Sequence, residues 1–255
     1  MSAKASSKMT PSRIKKPGHT ENLPTIDNEF TLYSYVGEDG EFDYERYRSI
    51  QEEGNKRKID KVWVLEKNIA YIADYLKNRL GQVSFGICHG TRRGLEQEWF
   101  SEYLGAEVLG TEISETATQF PHTIQWDFHE VKPEWLEKAD FIYSNSFDHS
   151  YDPDKCLNAW MSCVRPGGLC IIEHSDGHHP SGTNQLDPFG AHLVQMPYLI
   201  TKWGKGRFGV REILSAPAKK KELQYTAFIV IQKFEETPRA RPRFHKDKKP
   251  IKGSF

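Results

Sequence analysis

An α/β fold on a largely parallel sheet is predicted for this chain, and three observations predict it. Strand-like and helix-like runs alternate from about residue 83 to residue 173. The first strand enters a glycine-bearing turn, Phe85-Gly86-Ile87-Cys88-His89-Gly90-Thr91-Arg92-Arg93-Gly94, and the second, Glu107–Glu112, ends in a carboxylate. That pattern is half of a nucleotide-binding unit: glycines let the backbone approach a ligand, and the acid can hold ribose hydroxyls. Finally, Phe208–Leu214 and Tyr225–Gln232 are strand-like and joined by Ala216-Pro217-Ala218-Lys219-Lys220-Lys221, which predicts an antiparallel hairpin.

Each element has its own signal. Residues 30–36 read as a short strand or cover segment, and 41–57 as polar and partly helical. Ile69, Ile72, Ala73, Leu76 and Leu80 fall on one helical face, and Gly81 stops the run. Val83–Cys88 is the first strand, Arg93–Leu104 a helix and Glu107–Glu112 the second strand. Glu115–Phe120 is a short helix, Thr123–Asp127 the third strand, Pro133–Lys138 a short helix and Asp140–Ser146 the fourth strand. Asp152 then Pro153 is a helix start, with an acid at the cap and proline in the first turn. Leu157, Trp160, Met161 and Val164 form its apolar face, Pro166-Gly167-Gly168 ends it, and Leu169–Glu173 is the fifth strand. A helix over about Phe189–Thr201 is expected, with Leu193, Met196 and Leu199 in the core.

Composition bounds the rest. The chain has 255 residues, enough for one domain with appendages and a real core. No apolar run approaches the roughly 18–20 residues of a spanning helix, and the N-terminus lacks a secretory apolar region. Cys88, Cys156, Cys163 and Cys170 form no C-x-x-C pair, so reduced core thiols in a cytoplasmic protein are expected. The net charge of zero conceals an asymmetry: residues 1–20 carry five basic and no acidic side chains, and 238–255 carry seven basic ones against Asp247. Both ends read as flexible basic tails, capable at most of weak polyanion contact. Aromatics are nearly absent from them, so they offer no base-stacking platform.

The most telling local stretch is Phe141-Ile142-Tyr143-Ser144-Asn145-Ser146-Phe147-Asp148-His149. A helix from Asp152 to Val164 follows, then Arg165-Pro166-Gly167-Gly168-Leu169 leading into the fifth strand. In this order the chain resembles the class I S-adenosylmethionine-dependent methyltransferases over about residues 60–234. The resemblance implies a Rossmann-like, mostly parallel seven-stranded sheet in the order 3-2-1-4-5-7-6 with helices on both faces. The implied organisation is a tail over 1–25, a cover and helix over 26–80, the methyltransferase domain over 81–235 and a tail over 236–255.

That family's turn has an acid, an apolar residue, then G-x-G-x-G. Two registers fit here. One aligns Gly86-x-Cys88-x-Gly90 and puts Ser84 at the acid; the other shifts the turn to Cys88–Arg92. Both lack the acid that would meet the methionine amino group, and Thr91, Arg92 and Glu96 are the candidates to compensate.

The resemblance implies S-adenosylmethionine as cofactor. Gly86, Cys88 and Gly90 would pass beside its methionine and ribose moieties, Glu112 would accept from both ribose hydroxyls, and Ile113 would lie against the adenine. Asp127 would meet the adenine amine, with Phe128 beside it. Ser144 and Asn145 end the fourth strand beneath the cofactor, where open α/β sheets bind ligands. His149 and His174 are the candidate catalytic residues, as bases near neutral pH or to orient the acceptor. His174, His178 and His179 cluster beside Glu173 and Asp176, but their spacing matches no zinc pattern, and no metal is predicted.

The activity implied is methyl transfer to a small-molecule or glycan-type acceptor, because the N-P-P-Y signature of amine methyltransferases is replaced by Ser144-Asn145-Ser146-Phe147. An NAD(P)-linked oxidoreductase and a non-catalytic protein of the same fold are the alternatives. The oligomeric state is not specified.

Overall fold

The computed structural model describes residues 29–235 and the backbone of 25–26. The predicted basic tails lie outside the described residues, apart from Thr25. Among the described residues no helix is long and apolar enough to cross a membrane.

Seven strands form the main sheet: β1 (Phe85–His89), β2 (Glu107–Glu112), β3 (Thr123–Gln125), β4 (Ala139–Ser144), β5 (Val164–Ser175), β6 (Phe208–Ser215) and β7 (Thr226–Lys233). Their spatial order is 3-2-1-4-5-7-6. The first five are parallel, and β7 runs antiparallel to both β5 and β6. A second, three-stranded sheet that the sequence does not foretell joins Thr25–Ile26, Thr31–Leu32 and Phe189–Gly190.

Five helices accompany the sheet: α1 (Tyr44–Arg57), α2 (Glu66–Leu80), α3 (Leu95–Leu104), α4 (Pro153–Cys163) and α5 (Met196–Gly204). Asp43 caps α1 by accepting from the Arg46 N–H at 2.9 Å, and Asp152 caps α4 through Lys155 N–H at 3.0 Å. The two short helices predicted between β2 and β4 are 3₁₀ turns, Glu115–Gln119 and Pro133–Trp135.

Strand side chains alternate between the two faces of the sheet, and the two cores show it. Cys88, Phe141, Tyr143, Phe228 and Val230 pack with Ile69, Ile72 and Leu76 of α2 and Phe100 of α3. Ile87, Ile142, Ile229 and Ile231 pack on the other side with Leu157 and Trp160 of α4 and Leu199 and Trp203 of α5. All four cysteines are free and buried.

Two boundaries differ from expectation for backbone reasons. Helix α3 starts at Leu95 because Arg92 and Gly94 take positive φ, 46° and 79°, which no helix accommodates. Helix α5 starts at Met196, since Pro197 can occupy only a first turn; Phe189 and Gly190 pair with Leu32 and Thr31 instead.

The entrance to β5 is pinned electrostatically. Asp140 accepts from the backbone N–H groups of Ser84 (2.7 Å) and Phe85 (3.0 Å) and from Arg165 Nε (2.6 Å). Gly168 is required there, because a Cβ would come within 2.8 Å of the Asp140 carbonyl.

Helix α1 crosses the carboxyl ends of the strands. Its buried face is Tyr47, Gln51, Gly54 and Asn55. Tyr47 Oη donates to the His149 carbonyl (3.2 Å), Gln51 Nε2 to the Leu186 carbonyl (3.0 Å), and Asn55 Oδ1 accepts from Thr116 Oγ1 (2.8 Å). The segment read as cover is thus a wall over the β2–β4 strand ends.

Candidate active site

Two adjoining cavities open at the carboxyl ends of β1, β2 and β4. The larger, about 580 Å³, runs from the β1–α3 turn to the segment after β5. The smaller, about 50 Å³, lies between α1 and the ends of β2 and β3. They share Lys58, Gly90, Arg92, Ser146 and His149.

The turn after β1 settles the register. Gly86 lies inside the strand, and a Cβ there would overlap the Phe141 ring. Cys88 is wholly buried in the α2–α3 core. The turn proper is Gly90 to Gly94. Gly90 has φ of +72°, donates its N–H to the Thr111 carbonyl (2.8 Å) and accepts from Ser146 Oγ (3.1 Å). The left-handed Arg92 stands where the shifted register has its third glycine, so Cys88–Arg92 is the register that matches the backbone. In that register Gly86 occupies the acid's place and offers no side chain.

The carboxylates at the strand ends line the smaller cavity. Glu112 is buried at the end of β2; its two oxygens accept from Arg92 N–H (3.1 Å) and Ser114 N–H (3.2 Å). Burial raises its pKa, while those two N–H groups oppose the rise. Asp127 accepts from Tyr44 Oη (2.9 Å) through one oxygen and from His129 N–H and Nδ1 through the other. Burial alone would raise its pKa, but the His129 and Tyr44 contacts outweigh it and hold the carboxyl below the usual range. Ile113 and Phe128 complete this wall.

The larger cavity holds His149, Asp148, Asp187 and His178. His149 Nδ1 faces Gln51 Oε1 at 2.8 Å. The Gln51 amide is oriented by its Nε2 bond to Leu186, so its oxygen faces the ring and Nδ1 must carry the proton. In the neutral ring the lone pair then falls on Nε2, 3.6 Å from Asp187 Oδ1. Asp148 Oδ1 is buried and unpartnered, and burial pushes this carboxyl up to about 6. Asp148, His149 and Asp187 each present one possible ligand atom, all within 4.8 Å of one another.

Of the predicted residues, Gly90, Glu112, Ile113, Asp127, Phe128, Asn145 and His149 line the two cavities; Gly86, Cys88, Ser144 and His174 do not. Ser144 is enclosed and donates to the His89 carbonyl at 2.9 Å. His174 does not face an acceptor. The strand β5 continues past it, and its ring is buried between the Ala191 carbonyl (3.0 Å from Nε2) and the Tyr225 hydroxyl (3.2 Å from Nδ1). The residues missed, Tyr44, Gln51, Asp148 and Asp187, are polar positions in a cover segment and loops. Only Tyr44, Tyr47, Gln51 and Asn55 carried a signal, a stripe at helical spacing.

Thr91 Oγ1, buried and without a partner, lines the larger cavity beside the turn. A buried hydroxyl left open at a glycine turn, with a strand-end carboxylate alongside, is a donor set that fits an adenosyl cofactor.

The comparisons bear on the fold. Residues 87–172 match a family model described as a methyltransferase domain. No curated protein matches the chain. Among solved structures, the chain is similar to a 1,6-didemethyltoxoflavin-N1-methyltransferase of Burkholderia thailandensis holding S-adenosylhomocysteine. That pair shares 16% identity at a TM-score of 0.59, covering 83% of this chain and 99% of that one. It is also similar to the plantazolicin methyltransferase BpumL with the same product bound, at 14% identity and TM-score 0.57, covering 74% and 94%. The N-methyltransferase NodS of Bradyrhizobium japonicum follows at 12% identity and TM-score 0.53, covering 73% and 99%. Residues 87–172 thus match a methyltransferase-domain model, and the chain has the seven-stranded fold of the class I S-adenosylmethionine-dependent methyltransferases.

Proposed function

We propose that the protein transfers a methyl group from S-adenosylmethionine to a small-molecule or glycan-type acceptor in the larger cavity, with His149 as the proton acceptor. The observation that carries this is the Gln51–His149 bond: it leaves Nε2 as a lone-pair base on a cavity shared with the Gly90 turn.

When bound, the cofactor supplies an electrophilic methyl on a sulfonium. The chain's own work is alignment, exclusion of water and proton handling. Glu112 would accept from the ribose hydroxyls, with Ile113 and Phe128 against the adenine and Asp127 on its amine. Gly90 and Asn145 would border the methionine half. The residues bordering the two cavities would hold the acceptor in line with the methyl group that the cofactor supplies. The acceptor's proton passes to His149 Nε2, and Asp187 steadies the imidazolium that results. In support, two similar structures hold S-adenosylhomocysteine with small or peptide-derived chemistry in their names: didemethyltoxoflavin and plantazolicin. Buried, reduced thiols suit a reducing, cytoplasmic compartment.

Calorimetric titration of the full chain with S-adenosylhomocysteine, and separately with NAD, tests the reading. Saturable S-adenosylhomocysteine binding that Glu112→Ala weakens is expected. Binding of NAD alone, or of neither, overturns it.

A further inference from the structure

One departure from the methyltransferase turn removes a charge. Gly86 stands where an acid is expected, and the Phe141 ring fills the room a side chain would need. Yet the methionine half of the cofactor carries an ammonium group, and a cavity receiving it must offer an anion or acceptors.

One carboxylate in the larger cavity is suited to this. Glu96 lies in the first turn of α3, 6% exposed, and lines the cavity next to Thr91 and Arg93. Its Oε1 accepts from Asn145 Nδ2 at 3.1 Å, and Asn145 lines the same cavity. Among the described residues no lysine, arginine or histidine forms an ion pair with it. A buried carboxylate is costly, and burial pushes Glu96 up to about 7 although the Asn145 contact and the nearby Arg92 charge oppose the rise. A ligand cation would remove that cost. The other buried acids have their own partners: Glu173 accepts from Tyr143 Oη, Glu112 from two backbone N–H groups, Asp140 from Arg165 and two backbone N–H groups, and Asp148 lies 3.7 Å from His178.

We infer that Glu96, oriented by Asn145, receives the α-ammonium group of the cofactor's methionine half and replaces the acid missing at Gly86. The inference rests on the methyltransferase reading of the cavity. It assigns the contact to the first turn of the following helix, on the opposite side of the turn from β1.

The test compares two ligands on the full chain by calorimetry: S-adenosylhomocysteine and its analogue lacking the α-amino group. The wild type should prefer S-adenosylhomocysteine by ~10-fold or more, the weight of one charge-assisted hydrogen bond in a buried site. Glu96→Gln keeps the shape and the Asn145 contact, and should bring the two affinities to within about 3-fold while leaving the analogue's own affinity unchanged. Thermal melting of Glu96→Gln at or above the wild-type midpoint verifies folding, since the variant removes a buried charge. An unchanged preference in Glu96→Gln, equal loss for both ligands, or equal wild-type affinity for both would overturn the assignment while leaving the cofactor reading intact. Failure of the wild type to bind either ligand overturns both.

Discussion

The hydroxyl of Tyr44 donates to Asp127 Oδ2 at 2.9 Å, so the cover helix occupies the carboxylate that terminates the third strand. The cavity beside it is about 50 Å³. An adenine amine approaching Asp127 Oδ2 would compete with Tyr44 for that oxygen. Tyr44→Phe should therefore bind S-adenosylhomocysteine about 5- to 10-fold more tightly, because one hydrogen bond to a charged group no longer has to be broken. It should melt lower than the wild type in the absence of ligand. Calorimetry and thermal melting read the two effects, and weaker binding in Tyr44→Phe contradicts the expectation.

His149 and Gln51 should separate chemistry from cofactor binding. His149→Ala is expected to lower kcat by about 10²- to 10⁴-fold, the usual weight of a general base, with the S-adenosylhomocysteine Kd within about 3-fold of wild type. Gln51→Leu removes the acceptor that fixes the tautomer. It should cost roughly 10-fold in kcat and displace the acid limb of the pH–rate profile. A kcat unaltered in His149→Ala removes the base from the mechanism.

Asp140 should matter to stability and not to chemistry. Burial would raise its pKa, but Arg165 and the N–H groups of Ser84 and Phe85 outweigh that and lower it. A lowered carboxyl stabilises the native state above the ordinary carboxylate range, and the contribution disappears as acid protonates it. Asp140→Asn should cost about 2–3 kcal/mol in urea unfolding at pH 7, with the gap to wild type narrowing toward pH 3. A constant gap across that range would show that packing, not charge, is responsible.

His174 gives a prediction of the opposite kind. Burial pushes it down to about 3, so the native state keeps it neutral while the unfolded chain protonates near 6.5. Stability from this residue is present above 6.5 and is lost as pH falls toward 3. Relative to wild type, His174→Gln should gain ~2 kcal/mol between pH 6.5 and 5, at about 1.4 kcal/mol per pH unit. Parallel urea curves at the two pH values check it, and the difference between variants cancels the other titrating groups.

Much of the sheet could be read from the chain, because β1, β2 and β4 are runs of five or six mostly apolar residues. Glu107–Glu112 and the Asp152 cap fall where periodicity and capping chemistry place them. The turn after β1 could not be resolved that way: its register depends on the Phe141 ring, which belongs to a distant strand. His174 looked like a rim residue because apolar patterning stops near it. Pairing of Ser175 with Thr226 and of His174 with Ala227 carries the strand further and turns the ring inward. Gln51 and Tyr44 sit in a polar helix whose buried stripe is polar too, so hydropathy gives no hint of the wall it forms.

The small sheet has a mechanical consequence. Leu32 pairs with Phe189, Tyr33 N–H reaches the Pro188 carbonyl at 2.7 Å, and Tyr35 Oη reaches Gln185 at 2.7 Å. Gln51 adds its bond to Leu186. These contacts clasp the cover helix to the very loop that carries Asp187. The roof over the smaller cavity and the side wall of the larger are one piece of furniture, so neither chamber can be reshaped or opened without shifting the other.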